Sequence, residues 1–190
     1  MQSLLRKITR CTVCAVHLPH GVRPVVAASD QSRIVVIGQA PGRRVHESGI
    51  PWNDPSGDNL RNWHGVDKSV FYDPNNFALI PMGFCYPGTG KSGDLPPRPE
   101  CAPLWHPPLL DRMKKVRLTL LIGQYAQARY LGERAKKNLT ETVRNFSEYL
   151  PEFLPLPHPS PRNRLWLRRN PWFEAELLPV LQNIIRNTLQ

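Results

Sequence analysis

RIVVIGQAPG, residues 33–42, decides the fold. Its first half is an uninterrupted β-branched run, the pattern of a strand buried on both faces. The run ends at Gly38, and the glycines and proline that follow favour a tight loop over a further element. It therefore reads as the central strand of a parallel sheet with a shaped loop at its carboxyl end. Working outward, FALIP (77–81) and LTLLI (118–122) repeat the pattern. EFLPL (152–156) is a fourth strand of edge character, because Pro155 has no N–H to give a ladder. Helices are predicted at 58–63, 101–113, 124–131 and 139–146, after a short opening helix at 2–9. A last helix, 172–189, carries Phe173, Leu177, Val180, Leu181 and Ile184 at helical spacing. Strand and helix alternate, so the expected class is α/β: a three-layer α/β/α sandwich around a central, mainly parallel four-stranded sheet. In such sheets ligands collect at the carboxyl ends of strands, here the loops after Gly38, Pro81, Gly123 and Pro157.

With 190 residues and 41% hydrophobic content the chain can bury one core, and a single domain over 1–190 is expected. It has no apolar run of membrane-spanning length, and its first residues lack the apolar stretch and cleavage site of a secretory signal, which points to the cytoplasm. Lys plus Arg outnumber Asp plus Glu by 25 to 15, a formal charge of +10 that suits a partner rich in phosphates. The 21 prolines fall in stretches such as PPRPECAP and LPLPHPSP, which read as rigid loops between apolar segments rather than as disorder.

Three groups of residues carry chemistry. Cys11 and Cys14 form a C-x-x-C, and Cys85 and Cys101 lie far downstream with fifteen residues between them. Inside a cell such thiols read as metal ligands, and four sulfurs suit zinc and an iron-sulfur cluster equally; the bland alternative is that Cys85 and Cys101 are small core residues. The loop 38–42, then GIPW (49–52) and NDPSG (53–57), can bring backbone N–H groups close to a flat ligand. Trp52 offers a stacking face there, and Gln39, Asn53 and Asp54 offer hydrogen bonds; Asp54 or Asp58 reads equally as a helix cap, and Trp52 as core. In HPSPRN (158–163), prolines hold His158 in a stiff, non-helical segment. Ser160 could grip a phosphate amid Arg162, Arg164, Arg168 and Arg169.

GQAPG after the first strand, G-x-P-W soon after it and HPSPRN near the end together resemble the signature loops of the uracil-DNA glycosylase superfamily. The cysteine pattern is similar to that of its iron-sulfur, thermostable-type (family four) enzymes. That resemblance, spanning Cys11 to about Phe173, implies a glycosylase that excises uracil or a related deaminated base from DNA, with Cys11, Cys14, Cys85 and Cys101 on a 4Fe-4S cluster, zinc being the alternative. It implies that Gly38, Gln39, Ala40 and Gly42 cradle the flipped base, with Trp52, Asn53 and Ser160 beside it. His158 would hydrogen-bond the base carbonyl and stabilise its developing negative charge. Arg162, Asn163, Arg164 and Leu165 would meet the DNA.

The sequence departs from the family pattern at three points. Gln39 stands where family-four enzymes carry glutamate, and an amide cannot act as a base. Asp54 is the replacement expected, with Asp58 second and more suited to a cap. Pro81-Met82-Gly83 stands near where relatives read the base edge with asparagine, which shifts that task to Asn53 or Gln124. Gly42 replaces the bulky tyrosine of the strictest uracil enzymes and leaves room beside C5 of the base. The competing expectations are a DNA-binding protein that has lost hydrolysis, marked by Gln39, and a small zinc-dependent hydrolase.

Overall fold

The computed structural model describes residues 1–91 and 93–190. The strands are β1 (Ile34–Ile37), β2 (Phe77–Leu79), β3 (Thr89–Gly90), β4 (Gly93–Asp94), β5 (Leu118–Ile122) and β6 (Phe153–Leu156). The α-helices are α1 (Gln2–Thr9), α2 (Arg43–Ser48), α3 (Pro55–His64), α4 (Lys68–Tyr72), α5 (Cys101–Leu110), α6 (Gln124–Leu131), α7 (Leu139–Arg144), α8 (Arg164–Arg169) and α9 (Leu178–Leu189). The main sheet runs β2-β1-β5-β6 with every neighbouring pair parallel, and β3 and β4 form a separate antiparallel ribbon. Pro155 does sit on an edge strand, β6, paired in register with Leu121.

Two cores lie on the two faces of the sheet, set by the two-residue period of a strand. Ile34, Val36, Leu120 and Leu156 point to one face, under Leu60 and Trp63 of α3 and Leu181 and Ile185 of α9. Val35, Ile37, Ala78 and Leu121 point to the other, under Leu4 and Ile8 of α1, Leu109 of α5 and Ala126 of α6. This is the three-layer α/β/α architecture. All four residues of β1 are fully buried, at about 1.5–3 kcal/mol for each side chain of that size, which makes the segment at 33–37 the centre of the molecule.

Several element limits differ from the sequence expectation for local reasons. The helix expected from Asp58 begins at Pro55, because Asp54 caps it with Oδ1 accepting from Gly57 N–H at 2.8 Å and proline is well suited to the first turn. The helix expected to reach Met113 stops at Leu110, and that expected to reach Phe146 stops at Arg144 and continues as a 3-10 turn over Phe146–Tyr149. Residues Phe173–Leu177 form a π-helical turn ahead of α9, whose Pro179 lies in its first turn. The face that packs is Phe173, Leu177, Leu181 and Ile185; Val180 is exposed and Ile184 only half-buried. Among the described residues, no helix is long and apolar enough to cross a membrane.

The loops after β1 and β5 leave the sheet toward opposite faces, since α3 packs on one face and α6 on the other. That divergence opens a crevice at the carboxyl edge between neighbouring strands, where parallel sheets bind ligands.

Candidate active site

A cavity of about 410 Å³ lies at the carboxyl edge of the sheet, walled by the loops after β1, β2 and β6. The β1 loop contributes Gly38, Gln39, Ala40 and Gly42; the segment before α3 contributes Trp52, Asp54 and Ser56. Pro81 follows β2, and His158, Ser160 and Arg162 follow β6. Segments far apart in sequence thus meet in one concave site.

Trp52 is the best-fixed wall. It is the one described non-glycine residue with positive φ, at 56°, a conformation that must be held in place from outside. Its carbonyl accepts from Arg61 Nη1 and from Tyr72 O–H, both at 3.3 Å. Arg61 is itself buried, ion-paired with Asp58, and lies over the rings of Phe71 and Tyr72. Two glycines admit the tryptophan: a Cβ on Gly38 would stand 2.7 Å from Trp52 Cζ2, and one on Gly57 only 1.7 Å from Trp52 O. Gly57→Ala is therefore expected to lose about 2–3 kcal/mol of stability and to displace Trp52, read by chemical denaturation and by the tryptophan near-UV signal.

His158 stands opposite, 5.8 Å from Trp52 between ring centroids. Its Nδ1 accepts from Ser160 N–H at 3.2 Å, so the neutral ring carries its proton on Nε2. Burial lowers its pKa, and the charge of Asp54 pulls the other way. The loop is braced by Asn163 Nδ2 donating to His158 O at 2.7 Å and Asn59 Nδ2 donating to Pro159 O at 2.9 Å. The result is a preorganised neutral N–H donor. With Oδ1 of Asp54 held by the helix cap, its second oxygen is left for the cavity.

The family model for the Uracil DNA glycosylase superfamily matches residues 26–182, which takes in the β1, β2 and β6 loops that wall this cavity. This chain belongs to the uracil DNA glycosylase superfamily. Glycosylases of the superfamily hydrolyse N-glycosyl bonds in DNA, a DNA-repair chemistry, and the strand-loop-helix frame found here is the corresponding three-layer fold.

Not every expected residue meets in this cavity. Asn53 is exposed and is not part of the cavity wall, next to Trp52 with its positive φ. Asp58, expected as a cap, instead pairs with Arg61 one turn along α3. Asn163 is turned inward as the brace of His158, and Arg164 is exposed at the start of α8. Gln39 lines the cavity, yet its amide donates to Leu95 O at 3.0 Å and so ties the β3–β4 ribbon to the β1 loop. Gln124 lies on a neighbouring cavity behind Gln39 and His158, with Tyr125 and Trp166.

The four cysteines line a separate small cavity together with Ile8, Leu18 and Trp105. Phe84 N–H donates to Cys101 Sγ at 3.3 Å, and the Arg23 backbone N–H hydrogen-bonds Cys85. Burial pushes the Cys85 thiol up to about 11 and the Cys101 thiol to about 12. Among the described residues, no group of three or more His, Cys, Asp or Glu side chains is set to hold a metal ion.

Sequence reasoning missed two residues. Arg61 could have been found as a cation on the apolar face of a helix otherwise buried through Leu60, Trp63 and His64. Asp94 reaches the cavity from the ribbon, and burial raises its pKa while Thr89 and Arg162 lower it and Asp54 raises it further. Nothing in the local sequence signals that.

Proposed function

We propose that this chain hydrolyses the N-glycosidic bond of uracil, or of a related deaminated base flipped out of DNA, releasing the free base and leaving an abasic site. The supporting observation is the single cavity shared by the 38–42 loop, Trp52, Asp54 and His158. A flat base enters beside Trp52 against the backbone of the glycine loop. As the C1′–N bond breaks, the base leaves with negative charge, and His158 Nε2–H donates to its carbonyl oxygen. Asp54 orients a water whose oxygen bonds to C1′ and whose proton passes to the carboxylate. Arg162 and Arg164 serve the phosphates of the strand, with Leu165, 56% exposed, next to them.

Cys11, Cys14, Cys85 and Cys101 would hold a 4Fe-4S cluster. Two backbone N–H groups on sulfur suit thiolate ligands, and all four thiols line one cavity. Its contribution is structural: it ties the N-terminal segment to the chain around Cys85 and Cys101. Cys101→Ser is expected to lose the brown colour and iron and to melt about 5–10 °C lower, measured by metal analysis and calorimetry; an unchanged melting temperature with full iron content would reverse the assignment.

A second reading is favoured by Gln39, a neutral amide hydrogen-bonded to Leu95: a DNA-binding protein of the same fold without hydrolysis. Alkali cleavage of an oligonucleotide holding one uracil, beside a thymine control, separates the two. Uracil-specific cleavage supports the glycosylase; binding to uracil-DNA without alkali-labile sites supports the second reading.

A further inference from the structure

We infer that the cavity between Tyr125 and Trp166 takes a second nucleobase, the unpaired neighbour of the flipped one, so that the chain grips two successive bases of a single strand. The inference rests on the glycosylase reading above and deepens it.

This second cavity, of about 270 Å³, lies at the carboxyl ends of β5 and β6. It shares Gln39 and His158 with the base cavity, so the two spaces adjoin. Successive bases of a strand are joined by a single phosphodiester, and a site for the next base has to adjoin the first. The turn after β5 runs beside the HPSPRN segment: Gly123 has a φ of 80°, and a Cβ on it would stand 3.9 Å from His158 Cβ. Arg162 on the wall of the first cavity and Asn163 on the wall of the second are consecutive residues. That segment crosses from one space to the other with the positive charge that a linking phosphate needs.

The walls suit a flat aromatic ligand. Tyr125 stands in the first turn of α6 and Trp166 in α8, and both are half-buried. Trp166 is fixed in advance: its indole N–H donates to Thr140 Oγ1 at 2.8 Å, and its ring meets Trp172 and Phe173 edge-on. A ring already held in place loses little freedom when a base stacks on it, and stacking tolerates any base because each has a π face. Gln124, exposed beside Tyr125, brings an amide that can pair with a base edge. A base paired in a duplex cannot enter without leaving its partner, whereas in a single strand the neighbour is free to turn in.

The test measures kcat/KM for uracil release from single-stranded oligonucleotides in which the base on the 5′ side of the uracil, or the base on its 3′ side, is removed by substituting a tetrahydrofuran sugar. The phosphates stay in place, so a loss reports the base and not the backbone. One of the two replacements is expected to lower kcat/KM of the wild-type chain by about 5- to 100-fold, the worth of stacking one base on aromatic side chains. In Tyr125→Ala that penalty is expected to shrink about threefold or more, and Tyr125→Phe, which keeps the ring, is expected to retain it. Each penalty is a ratio within one protein sample and does not depend on the fraction folded. If uracil is released but neither replacement matters, or the penalty is undiminished in Tyr125→Ala, the cavity takes no base: the inference is overturned and the glycosylase stands. If the wild-type chain releases no uracil from the intact oligonucleotide, the glycosylase reading falls and this inference with it.

Discussion

Asp54→Asn is expected to lower the rate of uracil release by about 10²- to 10⁴-fold while leaving the fold and DNA binding in place. The prediction is sharp because the proposed mechanism gives Asp54 a second task, separable from its role as a helix cap. As the cap of α3 it needs only an oxygen that accepts from Gly57 N–H, and asparagine supplies one as well as aspartate does. As the group that orients and deprotonates water it needs a carboxylate, which asparagine lacks. Single-turnover kinetics and a denaturation curve on the same preparation separate the two. A rate within a few-fold of wild type would remove Asp54 from the chemistry and leave it a cap.

Acid is expected to destabilise the protein before its carboxylates titrate. Burial first, and the charge of Arg61 second, hold His64 at a pKa of about 3; burial holds His106 at about 4, against the opposing effect of its hydrogen bond to Pro81 O. In the unfolded chain both return to the ordinary value near 6.5. Below that value the unfolded state binds protons that the folded state refuses, so stability is full above pH 6.5 and falls as pH drops toward 4 and then 3. At pH 5 each histidine removes about 2 kcal/mol, together about 4 kcal/mol of a typical total of 5–15 kcal/mol. His64 has no hydrogen-bond partner on either ring nitrogen and stacks on Phe77 at an interplanar angle of 10°. His64→Phe should keep the stack, remove about half of the acid loss and raise stability at pH 7.5. Equal melting temperatures at pH 8 and pH 5 for the wild-type chain would refute the account. The loss also bears on the site, because His106 holds the carbonyl of Pro81, a residue of the cavity wall.

The β1 loop and HPSPRN meet at one cavity because both are short, stiff segments at strand ends. Proline and glycine fix their backbone locally, and the sheet fixes where the strands end. Residues one step removed were harder to place. Asn53 follows a tryptophan in a left-handed conformation and is not part of the cavity wall. Asp54 and Asp58 lie one helical turn apart and compete for the cap; the contest is settled by Pro55, which starts the helix earlier than the apolar spacing suggests.

By itself the sequence determined the alternating α/β order, the buried central strand and the stiff loops at the strand ends, since these follow from local periodicity and backbone restriction. Only the tertiary structure decided the order β2-β1-β5-β6, the gathering of four distant cysteines around one cavity, the clamp of Arg61 on Trp52 and the entry of Asp94 beside Gly42. Each of these depends on contacts between segments separated along the chain by other elements, and such contacts leave no local periodicity to read. They arise when two sheet faces must both be covered and the chain has to cross from one face to the other.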